Sequence, residues 1–200
     1  MISYTKHIKV VADFLAAFLL LSLLSPILII VTIGFYFVND GSPFFFQLRP
    51  GQNEKLFRII KFKTMTDKRD AQGKLLSDAE RLTSLGKLVR KSSVDELPQL
   101  LNVLKGDMSI VGPRPSPKSE NIRCPCWRDA RLSVRPGGTG LWQVNRTREP
   151  MQDFQEWIQY DTEYIRRLSF RLDFEICCRT FLQMGGKIVE KFLGTESTET

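Results

Sequence analysis

The sequence predicts an α+β protein that is mainly helical and begins with one membrane helix. Three observations predict this fold class. Residues 14–38 form an apolar block without a formal charge, two short runs of aromatic and β-branched residues follow it, and the rest of the chain repeats apolar residues at helical spacing. The 200 residues suit one domain of ordinary size.

The apolar block is long enough to cross a bilayer, because it has 25 residues and a spanning helix needs about 20. A signal peptide fits poorly, since the block is long and no small-x-small cleavage site follows it. Ser25 and Pro26 fall at its middle, where the proline removes a backbone donor and its ring clashes with the carbonyl of Ser22. The hydroxyls of Ser22 and Ser25 are expected to help satisfy the loosened backbone.

Basic residues flank the block on both sides. Lys6 and Lys9 precede it, and five Lys and Arg residues follow within residues 49–63. Because such residues accumulate on the cytoplasmic side, both ends are expected there, with the helix bending at Ser25-Pro26 and returning. Our hypothesis is therefore a re-entrant hairpin over residues 1–40, and a single spanning anchor is its alternative, since many spanning helices contain proline.

A β-hairpin is predicted after the block. Residues 43–47 and 55–64 have strand composition, and a Pro-Gly turn separates them. Lys61 and Lys63 project from one face of the second strand, and Phe62 projects from the other. The lysines either protect a solvated edge or present cations to an anionic ligand.

Two adjacent carboxylates, Asp95 and Glu96, stand where an amphipathic helix is expected to begin. Leucines follow with helical spacing at positions 97, 100, 101 and 104, and Pro98 is tolerated in a first turn. The helix dipole there favours the ionised carboxylate. Taken alone, the pair is most simply explained as a helix cap.

Composition excludes several kinds of site. The net charge of +7 suits anionic partners, namely phosphorylated ligands, anionic membranes or nucleic acid. His7 is the single histidine and precedes the apolar block, which disfavours Ser-His-Asp or Cys-His catalysis. The cysteines do not have zinc spacing and are expected to be free thiols; they are Cys124, Cys126, Cys177 and Cys178. An enzymatic reaction would thus depend on carboxylates and cations.

The second half of the chain contains two loops and further helices. Arg114 stands between two prolines, on a stiff turn that either presents the guanidinium to a phosphate or is a plain surface turn. Residues 135–140 are glycine-rich but match no phosphate-loop pattern. Helices are expected over residues 81–90, across 154–165 and after Asp173. Trp157 and Tyr164 lie either at a lipid interface or in the core.

Several short motifs occur in one order: Ser25-Pro26, Arg49-Pro50-Gly51, Lys61-Phe62-Lys63-Thr64-Met65, Asp95-Glu96-Leu97-Pro98-Gln99, Gly106-Asp107-Met108-Ser109, Gly112-Pro113-Arg114-Pro115 and Gly140-Leu141-Trp142-Gln143-Val144. Each motif is modest, but their ordered combination resembles the bacterial sugar transferase family of small monotopic phosphoglycosyl transferases. The resemblance covers about residues 5–185.

The resemblance implies transfer of a phosphosugar from a UDP-sugar to polyprenol (undecaprenyl) phosphate, assisted by Mg²⁺, with release of UMP. It implies an enzyme that initiates glycan or exopolysaccharide assembly at the bacterial inner membrane. Membrane lipids and downstream glycosyltransferases are then expected partners, and nucleic acid is not. The implied fold is a re-entrant helix, interfacial amphipathic helices and a small body on the cytoplasmic face, with a catalytic domain over residues 41–193. Residues 194–200 are expected to be a disordered tail.

The resemblance also implies roles for particular residues. Asp95 is the nucleophile that forms a covalent phosphosugar intermediate and is a metal ligand, and Glu96 acts in acid–base or metal-supporting work. The remaining implied site residues are Lys61, Lys63, Arg90 and Arg114 for substrate phosphates, Asp173 and Gln143 as polar support, and Ser25 with Pro26 as the helix break. Attack by a carboxylate on a diphosphate brings anions together, which explains the need for cations.

Two alternatives use the same sequence features. A membrane-anchored basic protein that binds anionic lipid or nucleic acid without catalysis explains the charge and the anchor, but not the carboxylate pair. A degenerate family member that serves as a scaffold is the other alternative. The chain has Arg146 and Thr147 where relatives commonly have Gly-Arg, so the sugar cannot be transferred from the family.

Overall fold

The computed structural model describes residues 4–117, 125–146 and 154–193, which form a mainly helical α+β fold as predicted. A π-helical turn, Tyr4–Ile8, leads into α1, Lys9–Val38. A β-hairpin follows, formed by β1, Phe44–Pro50, and β2, Leu56–Phe62. The later elements are α2 (Asp78–Arg81), α3 (Ser84–Lys91), a 3-10 helix (Val94–Gln99), α4 (Leu100–Leu104), β3 (Ser109–Val111), α5 (Pro125–Arg131), β4 (Gly137–Thr139), α6 (Leu141–Asn145), α7 (Phe154–Arg167) and α8 (Phe170–Leu193).

The helical backbone of α1 continues through Pro26, so the predicted break does not interrupt the helix. The missing N–H of Pro26 would leave the carbonyl of Ser22 without its usual donor. The hydroxyl of Ser25 donates to that carbonyl at 2.8 Å, and the hydroxyl of Ser22 donates to the carbonyl of Phe18 at 2.9 Å. The expected compensation is therefore confirmed for Ser25, whereas Ser22 bonds to a carbonyl that Pro26 does not affect. The re-entrant path of the helix stays a prediction.

Both ends of α1 contact the same globular body. Near its start, Ala17 is buried with Phe57 and Met108. Near its end, Phe35 stacks on Phe62 with 5.6 Å between ring centroids. By length and composition α1 is able to cross a membrane, and its most apolar 18-residue stretch is only 6% buried. Its middle therefore presents apolar side chains outward while its ends are fixed.

The hairpin agrees with the predicted faces. Its strands are antiparallel, with Phe44 opposite Phe62 and Phe45 opposite Lys61. Phe62 is buried and stacks on Phe44 at 5.4 Å, whereas Lys61 and Lys63 point to the opposite side. This arrangement leaves both ammonium groups available to the site described below.

A second, parallel pair of strands was not predicted. Ser109 pairs with Gly137 and Val111 with Thr139, so β4 lies inside the glycine-rich segment that was expected to be a loop. A Cβ atom at Gly137 would fall 2.1 Å from the backbone nitrogen of Gly112. The close approach of two backbones thus explains this glycine, because no side chain fits between them.

Two predicted helices have different boundaries. Residues 94–104 form a 3-10 helix and then the short α4, so Pro98 lies inside a 3-10 helix and not in the first turn of an α-helix. Residues 81–90 are divided between α2 and α3, because the side chain of Thr83 accepts from the backbone N–H of Gly86 and starts a new helix. The helices expected over residues 154–165 and after Asp173 correspond to α7 and α8.

The main core lies between β3, α6, α7 and α8 and is formed by Val111, Leu141, Val144, Tyr164, Leu168, Leu172 and Ile176. Trp157 and Tyr164 are buried, so both belong to the core and not to a lipid interface. Cys177 and Cys178 are free thiols, as predicted. Cys124, the side chain of Cys126 and the expected tail, residues 194–200, lie outside the described part of the chain.

Candidate active site

A cleft of about 1110 Å³ opens between β2, the 3-10 helix, the middle of α1 and the middle of α8. Its polar wall contains Lys61, Arg90, Asp95, Glu96, Arg114 and Gln143. Its apolar wall contains Leu20, Leu23, Leu24 and Ile27 of α1, with Phe181 and Met184 of α8. The cleft therefore places charged groups beside the residues that flank Ser25 and Pro26.

Glu96 is held by two cations. The Nζ atom of Lys61 lies 2.7 Å from Oε1 of Glu96, and the guanidinium of Arg114 donates to both carboxylate oxygens, at 2.8 Å and 3.2 Å. Burial acts to raise the pKa of Glu96, but Arg114 and Lys61 outweigh it and lower this pKa to about 2. Glu96 is consequently ionised near neutral pH, and its two cationic partners fix its orientation.

Asp95 differs from its neighbour. Among the described residues, its carboxylate has no hydrogen bond or ion pair with another side chain. Its pKa is raised, because burial removes water and the charge of Glu96 repels a second negative charge, while Lys61 and Arg90 act in the opposite direction. This is opposite to the direction expected from the helix dipole, since burial and Glu96 outweigh a short 3-10 helix. Asp95 is thus the unrestrained and more basic carboxylate of the pair.

The other predicted cations also line the cleft. The Nε of Arg90 donates to the hydroxyl of Thr64 at 2.8 Å, which fixes the guanidinium near Asp95. Lys63 pairs with Asp67 at 2.5 Å on the same wall. The sequence therefore predicted a set of cations that the fold brings to one place.

Gln143 and Asp173, both expected as polar support, lie in different places. Gln143 lines the cleft and donates to the carbonyl of Gly138 at 3.0 Å, while its buried Oε1 atom has no hydrogen-bond partner among the described residues. Asp173 lies outside the cleft, at the junction of α1 and α8. It accepts from Tyr4 and Lys9, each at 2.6 Å, and from Tyr164 at 2.8 Å.

The sequence did not single out several lining residues. Arg81 and Arg146 add two cations to the wall of the cleft, and α8 contributes Thr180 and Gln183. Helical periodicity predicts that α8 exists, but not that its middle lines the same cleft as Asp95, which is more than 80 residues away in the sequence. Only the tertiary packing of α8 on β4 and α6 reveals this.

The residues of the cleft fit a Mg²⁺ site in which the protein supplies only one or two ligands. No group of three or more His, Cys, Asp or Glu side chains within the described ranges is arranged to hold a metal. Mg²⁺, however, is usually bound through one or two carboxylates together with substrate phosphates and water. Asp95, which has no side-chain partner and is buried beside a second negative charge, suits that kind of site.

Comparison with known proteins identifies relatives of this chain. The family model described as bacterial sugar transferase matches residues 4–187. The chain is 44% identical to the uncharacterized sugar transferase EpsL of Bacillus subtilis over 174 residues, which cover 86% of this chain and 85% of that protein. It is 39% identical, over 86% of its length and 67% of the relative's, to a UDP-glucose:undecaprenyl-phosphate glucose-1-phosphate transferase of Caulobacter vibrioides.

Other relatives differ in length. The exopolysaccharide production protein ExoY of Rhizobium meliloti is 35% identical over 84% of this chain and 81% of its own length. The galactosyl transferase CpsE of Streptococcus agalactiae is 41% identical, but the match spans only 34% of that longer protein. The family match covers nearly the whole chain, including every residue of the cleft. The chain therefore belongs to the bacterial sugar transferase family.

Proposed function

We propose that this chain is a membrane enzyme that transfers a sugar-1-phosphate from a UDP-sugar to undecaprenyl phosphate and releases UMP. Several relatives that cover more than four fifths of the chain carry names for this reaction with UDP-glucose. The observation that carries the proposal is the asymmetric pair in the cleft, in which Glu96 is held by cations and Asp95 is not. The sugar itself is left open, because the residues around Arg146 depart from the family pattern.

The first step is attack by a carboxylate oxygen of Asp95 on the phosphorus that carries the sugar. A bond forms between Asp95 and this phosphorus, the bond to the UMP oxygen breaks, and UMP leaves with the electron pair. In the second step an oxygen of the lipid phosphate attacks the same phosphorus and releases Asp95. The raised pKa of Asp95 supports this role, because a more basic carboxylate is a better nucleophile once it is ionised.

The chain's own cations hold the diphosphate and offset the developing charge. Lys61, Arg90 and Arg114 face the two carboxylates, so this group carries a net charge of +1. A diphosphate adds about two negative charges, which exceed the +1 of this group, and Arg81 and Arg146 on the same wall offset part of the excess. Asp95, supported by Glu96, would hold Mg²⁺, which when bound would neutralise phosphate oxygens and stabilise the leaving group.

The shape of α1 supports a re-entrant path and an active site at the membrane surface. Because Ala17 and Phe35 contact the same body, a helix that crossed the bilayer would separate contacts that the fold keeps together. The exposed middle of α1 would then enter one leaflet, with the body on the cytoplasmic side. The lipid phosphate would meet the donor in the cleft without a search through bulk solvent.

The proposal is tested with purified protein in lipid nanodiscs, undecaprenyl phosphate, Mg²⁺ and a panel of UDP-sugars, by measuring UMP release. We expect one or a few donors to release UMP, and we expect release to stop in EDTA and in the Asp95→Asn variant. If the protein binds anionic vesicles in a way that weakens steeply with salt, and no donor releases UMP, a binding protein would be favoured instead.

A further inference from the structure

Arg114 lies on a loop whose backbone depends on external donors. Pro113 and Pro115 have no N–H groups, so the loop has little means of forming its own hydrogen bonds. The carbonyl of Pro113 accepts from the backbone N–H of Gly137 at 2.9 Å, which fixes one side of the loop to β4. The next carbonyl, that of Arg114 itself, and the hydroxyl of Ser116 both accept from a donor on another element.

Arg131 supplies that donor from α5. Its Nη1 donates to the hydroxyl of Ser116 and its Nη2 donates to the carbonyl of Arg114. The same Nη2 lies 3.3 Å from a carboxylate oxygen of Asp161 on α7, and the guanidinium lies over the ring of Trp157 at 5.1 Å from its centroid. Arg131 is only 3% exposed; its bond to Ser116 is buried and its bond to the carbonyl of Arg114 is partly buried.

A buried ion pair of this kind is not explained by stability alone. Removing two charges from water is costly, and apolar residues of the same volume often serve the fold equally well. What a guanidinium adds is five donors in a rigid plane, which define the position of everything they bind. Here that position is the backbone of Arg114.

We propose that Arg131, oriented by Asp161, is a positioning residue that sets where the guanidinium of Arg114 meets Glu96. The contacts form one continuous series from α7 through α5 to the loop and into the cleft. This inference deepens the proposed function and rests on it for its catalytic effect, but its structural part stands on the contacts alone.

A shift of this loop would have a consequence that does not require turnover. The guanidinium of Arg114 is held against Glu96 by two hydrogen bonds, at 2.8 Å and 3.2 Å. If the loop moves, these bonds are lost and the guanidinium becomes more accessible to a reagent in solution.

The test measures modification of Arg114 by phenylglyoxal, which reacts with accessible guanidinium groups, and reads the site by fragmentation mass spectrometry of the peptide. The full chain in nanodiscs is compared as wild type, Arg131→Lys, Ser116→Ala and Glu96→Ala. Arg131→Lys keeps a charge for Asp161, but its single nitrogen replaces two that contact Ser116 and Arg114 separately. Arg128→Lys is the matched control, because Arg128 lies on the same helix and pairs only at the surface, with Glu54 and Asp129.

We expect Arg114 to be modified at least about tenfold faster in Glu96→Ala and Arg131→Lys than in wild type, because hydrogen bonds to a charged group are lost. Ser116→Ala should accelerate the modification to a smaller extent, and Arg128→Lys should leave it unchanged. If Arg131→Lys does not fold, the Ser116→Ala variant carries the test. Wild-type rates in both Arg131→Lys and Ser116→Ala, with Glu96→Ala accelerated, would overturn the inference. Absence of UMP release by wild type would instead count against the proposed function and leave the labelling result to decide this one.

Discussion

Replacement of Asp173 by Asn distinguishes most sharply between a residue of the active site and a residue of the α1–α8 junction. The Nζ of Lys9 lies 2.6 Å from the carboxylate of Asp173, and their side chains are 8% and 10% exposed. Breaking a buried pair by removing one partner typically costs about 3–5 kcal/mol, because the other charge is left uncompensated. Asp13, whose carboxylate is 4.0 Å from the same ammonium, retains part of the attraction, so we expect the lower end, about 3 kcal/mol.

For a chain of this length, about 3 kcal/mol corresponds to a decrease in Tm of roughly 6–12 °C. The assay is thermal unfolding of the nanodisc-bound protein at one concentration and scan rate. The matched control is Glu163→Gln, which removes an exposed pair with Arg167 and should change stability by no more than about 0.5 kcal/mol. In the double variant Lys9→Met with Asp173→Asn, part of the lost stability should return, since no unpaired ammonium remains.

UMP release by Asp173→Asn, measured well below its Tm, should stay near the wild-type rate, because Asp173 does not line the cleft. An unchanged Tm together with loss of UMP release would refute this reasoning and return Asp173 to the active-site role that the family resemblance implies.

Two further predictions concern the pair and the membrane helix. Burial and the charge of Glu96 raise the pKa of Asp95, so Glu96→Gln should lower that pKa and move the acid limb of the pH–rate profile of UMP release to lower pH. An unmoved limb would contradict the assignment of Asp95 as the nucleophile that must be ionised. A cysteine introduced near residue 3 should not react with a membrane-impermeant maleimide added outside intact cells, because both ends of α1 are proposed to lie on the cytoplasmic side. Strong labelling would instead favour a single spanning anchor.

Local features of the fold follow from the sequence. Composition alone predicts α1, and strand propensity with a Pro-Gly turn predicts the hairpin on which Lys61 and Phe62 take opposite faces. These elements are predictable because their signals lie within one short segment. The same reasoning predicts α7 and α8 but cannot say which face of α8 lines the cleft.

The features that were missed depend on distant parts of the chain. The parallel pair of β3 and β4 joins residues 109–111 to residues 137–139. Strand propensity does not predict β4, because glycine is uncommon in strands. The direction in which the pKa of Asp95 shifts depends on burial, and burial cannot be read from the position of the residue in the sequence. Arg131 carries no local signal of its role, since its partners lie on a proline-rich loop and on α7.

The most direct test of the central claim is detection of a covalent phosphosugar on Asp95. The wild-type protein is incubated with Mg²⁺ and the UDP-sugar that supports UMP release, without lipid acceptor, and its peptides are analysed by mass spectrometry. We predict a phosphosugar adduct on the peptide that contains Asp95, its absence in Asp95→Asn, and its loss when undecaprenyl phosphate is added. Near-normal UMP release by Asp95→Asn, or an adduct on a different side chain, would contradict the account.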